Sequence, residues 1–165
     1  MKRDFSISIT VKSSAENAFN AIKSFKDWWS EEIVGPSDVL NKSFFYHYKD
    51  IHLCKVKLIE VEKNKKLVYL VEENEFNFVD DKTEWVNTKL IFDIEEQAGK
   101  TTIRFVHEGL VPDYQCFEIC KDAWTNYIKV SLKSLIENGK GTPNPKGKDG
   151  LNAKLAKKWK IESEF

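Results

Sequence analysis

A hydrophobic period of 3.6 residues running from Asp113 to Asn138 constrains this chain more than any other feature. Cys116, Phe117, Cys120, Trp124, Tyr127, Ile128, Leu132, Leu135 and Ile136 recur at spacings of three and four, with charged residues between them. That pattern predicts one long amphipathic helix with a wide buried face. Asp113 after Pro112 suits its start, where a carboxylate can accept from an unpaired backbone N–H. Gly139 suits its stop. At 1.5 Å per residue such a helix spans roughly 37 Å, enough to cross a small domain. The rest of the chain must cover its apolar face.

The preceding residues read mostly as strands. Asp4 to Lys12 alternates, with Phe5, Ile7, Ile9 and Val11 on one side. Ser13 and Glu16 have capping-box spacing, and Ala15, Ala18, Phe19 and Ile22 mark a short helix. Phe25 to Trp29 begins a second short helix or turn. Two adjacent Trp cannot both face inward on a regular element, so one is expected to line a cleft or stay partly exposed. Five strands then follow, at 43–48, 51–62, 67–73, 84–95 and 101–108, joined by short polar links that favour antiparallel neighbours. A four-residue loop from Gln97 to Lys100 would place Glu96 opposite Thr101. Ile94 then faces Ile103, Phe92 faces Phe105 and Leu90 faces His107, all on one side of the sheet. His107 therefore points inward.

After Gly139 the composition changes. Residues 139–165 hold four of the seven Gly and two of the four Pro, with seven Lys against three acids. The expected division is a folded domain over 1–140 and a flexible basic linker over 141–165. A short helix is possible from Leu151 to Trp159, too short to be stable alone. The whole chain is neutral, with 26 basic and 26 acidic residues, so no overall field points to nucleic acid. No stretch approaches 20 apolar residues, and three Cys imply no disulfide framework. A cytoplasmic location is the default expectation, with neither a membrane span nor a nucleic-acid partner.

The element order is a strand, two short helices, a run of antiparallel strands and one long helix. This is an α+β arrangement in which a curved sheet grips the C-terminal helix. A curved sheet and a straight rod do not match everywhere, and ligand pockets form in such gaps. The runs Thr83 to Phe92 and Thr102 to Leu110, then Cys116 to Cys120, Ala123-Trp124 and Ser131 to Ile136, resemble the bacterial branch of the SRPBCC superfamily. More narrowly, they are similar to activator-of-heat-shock-protein-ATPase homologue domains. The resemblance covers Phe5 to roughly Lys140. It implies the helix-grip, birch-pollen-allergen-like fold of START-like proteins and the binding of a hydrophobic small molecule. It brings no catalytic set to carry over.

The candidate pocket walls are Trp28, Trp29, Tyr46, Tyr48, Tyr69, Phe76, Trp85, Phe92, Phe105, Trp124 and Tyr127, with His107 as the polar contact. The same aromatics could simply fill a core, and His107 could be a core histidine with a satisfied partner. His47 and His52 read as solvated. Cys116 and Cys120 share a helix face, and small buried thiols fit that spacing better than half of a zinc site. No nucleophile elbow, phosphate loop or His-Glu-x-x-His is present. No metal or cofactor is expected, and a non-enzymatic carrier is favoured. A cyclase- or dehydratase-like enzyme using His107 is one alternative. A chaperone-regulating or other protein-interaction module using the basic tail is another.

Overall fold

The computed structural model describes residues 3–49, 51–145 and 157–158. Strand β1 (Phe5–Val11) is followed by α1 (Ala15–Lys23) and the one-turn α2 (Phe25–Trp28). Six strands come next: β2 (Ile33–Val34), β3 (Ser43–Tyr48), β4 (His52–Glu62), β5 (Lys66–Phe76), β6 (Lys89–Gln97) and β7 (Lys100–Glu108). All seven strands form one antiparallel sheet in the order β1-β7-β6-β5-β4-β3-β2. The C-terminal helix runs from Phe117 to Asn138 as α3 (Phe117–Asn126), a π-helical stretch (Tyr127–Leu132) and α4 (Lys133–Asn138).

The sheet curves because β4 and β5 do not pair evenly. Their register shifts between Lys55 and Val56 and again between Leu58 and Glu60. Each extra residue bends its strand and increases the local twist. The concave face carries Phe44, Val56, Leu58, Tyr69, Leu90, Phe92, Ile103 and Phe105, all buried against α1, α2 and the long helix.

The β6–β7 register has Ile94 opposite Ile103, Phe92 opposite Phe105 and Leu90 opposite His107, as the alternation predicts. The connecting loop is shorter than expected. Gln97 pairs with Lys100, leaving only Ala98 and Gly99, both at positive φ (54° and 78°). Two such residues match the twist of the flanking strands, and removing one pair from the loop leaves the register unchanged.

Several boundaries differ from the sequence expectation. The N-cap of α1 is Ser14, which accepts from Asn17 N at 3.1 Å. Ser13 instead binds the Asn17 amide and, through its carbonyl, Thr101. β6 begins at Lys89 rather than Glu84, because Thr83 to Thr88 forms a turn with Asn87 at φ 69°. The long helix begins at Phe117, and Asp113 does not cap it. The carboxylate of Glu84 does so from across the fold, accepting from Gln115 N at 2.8 Å and Cys116 N at 3.1 Å. An anion there satisfies backbone donors and meets the positive end of the helix dipole.

Gly141 to Pro145, expected to open the linker, instead lies against the body. Asn144 N donates to Trp29 O, Glu31 N donates to Asn144 O, and Thr142 N donates to Ser131 Oγ. Gly141 is required by close approach, since a Cβ there would collide with the Asp27 carbonyl oxygen. Lys158 makes a 2.5 Å ion pair with Asp122 on α3. The remainder of the expected linker and of the 151–159 helix lies outside the described residues.

Candidate functional site

A cavity of about 70 Å³ opens between the β3–β5 end of the sheet and α3. Four elements build it. The sheet supplies Tyr46, Tyr48, His52 and Phe76; the turn before β6 supplies Trp85; the C-cap of α2 supplies Trp29; the long helix supplies Ile119, Cys120, Ala123, Trp124 and Tyr127. Ile51 and Phe78 complete the lining. Trp29, Phe76, Trp85, Trp124 and Tyr127 are buried, whereas Tyr48, His52, Phe78, Ile119 and Ala123 are half-buried and form the mouth. No Lys, Arg, Asp or Glu is among the described residues that line it.

The floor is a set of aromatic planes. Trp29 stacks on Tyr46 with ring centres 4.2 Å apart, and Trp85 stacks on Trp124 at 5.8 Å. Trp85 meets His52 edge-on at 4.8 Å. Such contacts add to apolar burial and hold each ring in one orientation.

Seven of the predicted wall residues meet here: Trp29, Tyr46, Tyr48, Phe76, Trp85, Trp124 and Tyr127. The other four, Trp28, Tyr69, Phe92 and Phe105, lie behind the cavity in solid packing, and so does His107. Trp28 is fully buried against Phe25 and Phe92, with its indole N–H on Ile22 O. Both tryptophans of the pair face inward because α2 is a single turn lodged between sheet and helix; Trp29, at its cap, turns to the cavity while only 1% exposed. Tyr69 points away, donating to Ser37 O at 2.8 Å. Phe92 and Phe105 pack on each other under Trp28 and Trp124.

His107 is inward but sealed beneath Trp85 and Trp124. Trp124 Nε1–H donates to His107 Nδ1 at 3.1 Å, so the ring proton sits on Nε2 and is given to Thr88 Oγ1 at 2.8 Å. Thr88 in turn donates to Trp85 O at 2.6 Å. Every polar atom of the imidazole is used. Burial, with a smaller contribution from His52, pushes its pKa down to about 3. It is a structural histidine that fixes Trp124 and Trp85.

His52, expected to be solvated, is the imidazole that reaches the cavity. The Asn74 amide orients it. Asn74 Nδ2 donates to Lys82 O, which leaves Asn74 Oδ1 to accept from His52 Nε2–H at 2.7 Å. The neutral tautomer therefore carries a bare Nδ1. Burial holds its pKa down to about 4, opposed by the Asn74 bond. The signal was present in the sequence: His52, Cys54, Val56 and Leu58 alternate inward along β4. Phe76 pairs with His52 across the sheet, because β5 runs three residues past its expected end. His47 is exposed, as expected, and lies 3.1 Å from Glu32.

At the inner end, Tyr127 begins the π-helical stretch, a geometry often found at functional sites. Its hydroxyl accepts from Asn144 Nδ2 at 2.7 Å, and Asn144 also donates to Trp29 O. Burial pushes the Tyr127 pKa up to about 12. Cys116 and Cys120 are buried free thiols, and Cys120 lines the cavity. No cluster of three or more His, Cys, Asp or Glu able to hold a metal occurs among the described residues. No helix there is long and apolar enough to cross a membrane.

A curved antiparallel sheet closed on a C-terminal helix, with two short helices after the first strand, defines a helix-grip protein of the SRPBCC type. Within that class the chain belongs to the family described as Activator of Hsp90 ATPase homolog 1-like protein, whose model matches residues 14–137. Among solved structures, the chain is similar to the Aha1 dimer from Colwellia psychrerythraea at 22% identity and TM-score 0.68, covering 84% of this chain and 99% of that one. Protein MLL2253 from Mesorhizobium loti matches at 14% identity and TM-score 0.65, over 81% of this chain and 96% of that one. CalU16 from Micromonospora echinospora matches at 10% identity and TM-score 0.59, over 82% and 76%. At these identities the likeness establishes the fold. No curated protein matches the chain.

Proposed function

We propose that this protein binds a small hydrophobic or aromatic molecule between the sheet and the C-terminal helix, as a carrier or sensor rather than an enzyme, in the cytoplasm. The observation that carries the reading is the aromatic hollow itself. Stacked and edge-on rings from four separate elements converge on space they do not fill. Its volume of about 70 Å³ is smaller than the 150 Å³ apolar cavity that takes benzene. Entry of a ring therefore requires outward rotation of the half-buried mouth residues Tyr48, Phe78 and Ile119. A carrier suits the chemistry better than a cyclase or dehydratase, because His107 is sealed and fully bonded.

The test is an NMR titration of ¹⁵N-labelled protein with a library of one- and two-ring aromatic compounds. Expected are shifts in the indole N–H signals of Trp29, Trp85 and Trp124, abolished in Ala123→Phe, which fills the cavity from the helix side. Shifts confined to the exposed Val34, Phe45 and Leu53 on the outer sheet face would overturn the reading.

A further inference from the structure

Two residues of the cavity wall carry polar atoms with no nitrogen or oxygen partner among the described residues, one of each sign. His52 gives its Nε2–H to Asn74, and no hydrogen bond to Nδ1 is found among the described residues, so a bare acceptor stands at the mouth. Trp85 Nε1–H is a buried donor with no hydrogen-bond partner, on a residue that is 4% exposed. Its near neighbour is the Cys120 thiol, a weak acceptor at best. A native protein leaves few such buried donors unmet. The two rings meet edge-on with centres 4.8 Å apart, and both residues line the same hollow.

Resting on the ligand-binding reading above, we infer that the ligand is an uncharged aromatic molecule bearing a hydroxyl, which donates to His52 Nδ1 and accepts from Trp85 Nε1–H. A hydroxyl is the smallest group that does both. An ether can only accept and a hydrocarbon does neither, so each leaves polar atoms of the wall dry and unmet. A carboxylate would enter a hollow lined by no cation and meet a bare imidazole lone pair, which repels it. The surrounding ring faces of Trp29, Tyr46, Phe76 and Trp124 select a flat body.

The experiment compares four matched probes on the intact chain: 4-ethylphenol, its methyl ether 4-ethylanisole, ethylbenzene and 4-ethylbenzoate. Binding is read by calorimetry, and the imidazole ¹⁵N signals by NMR. 4-Ethylphenol is expected to bind about tenfold more tightly than the ether, with benzoate weakest. In the wild-type protein, only the phenol moves the His52 Nδ1 signal. His52→Phe is expected to bring phenol and ether to equal affinity while ethylbenzene binding persists, which shows that the pocket is intact. Phenol and ether binding equally to wild type, or benzoate binding tightest, would overturn the hydroxyl assignment and leave the cavity reading standing. Failure of all four probes to bind would overturn both.

Discussion

Thr88→Val isolates the relay that holds the aromatic floor. The exchange keeps the side-chain shape and removes one hydroxyl. That hydroxyl accepts from His107 Nε2–H at 2.8 Å and donates to Trp85 O at 2.6 Å, and both partner residues are buried. A buried polar group left unmet costs about 1–3 kcal/mol. Two such groups set the expected loss at about 3 kcal/mol, a large share of the ~5–15 kcal/mol that holds a domain of this size together. The assay is urea unfolding followed by tryptophan fluorescence. With a slope of ~2 kcal/mol/M the midpoint falls by about 1.5 M. Thr88→Ser is the control. It keeps both bonds and loses only a methyl group that packs against Gly109, so it should cost about 0.8 kcal/mol. Equal midpoints for the Val and Ser proteins would refute the relay and with it the assignment of His107 as a structural group.

The remaining predictions concern pH and the C-terminal strap. His107 resists protonation until about pH 3 when folded and takes a proton near its ordinary 6.5 when unfolded. The unfolded chain therefore binds more protons below 6.5, and stability is full above that pH and lost as pH falls. For His107 alone the loss by pH 5 is about 2 kcal/mol, and His52 acts in the same direction. Urea midpoints that stay level or rise from pH 8 to pH 5 would contradict this. Gly141→Ala should lift residues 141–145 off the body, because its Cβ meets the Asp27 carbonyl. The expected cost is about 1–3 kcal/mol, with faster amide exchange at Glu31 and Asn144; unchanged protection at both amides would count against the strap.

What the sequence disclosed was local or periodic. The Leu90–His107 pairing followed from strict alternation on two strands joined by a short loop, and an error of two residues in loop length did not disturb it. The long helix was visible from its period, but its start was not. Asp113 sits where a cap is usual, yet the group that caps the helix is Glu84, a distant residue carried in by a turn that read as strand. Likewise no periodicity could reveal that Asn144 returns to bind Tyr127 and Trp29. The aromatic walls were legible as residue types. Which rings face open space depended on the single turn of α2, which buries Trp28 in the core and sends Trp29 to the cavity. His52 was overlooked because a nearby turn suggested solvent, although the alternation of its own strand placed it inside.

The wide turn from Tyr127 to Leu132 divides the long helix into two bodies with separate allegiances. Cys120 and Trp124, before it, answer to the hollow; Ile136 and Glu137, after it, are fastened to the first helix and the first strand through Asn17 and Lys12. On the ligand-binding reading, a guest would displace the end that carries Cys120 and Trp124, while the bonds to Asn17 and Lys12 hold the opposite end in place.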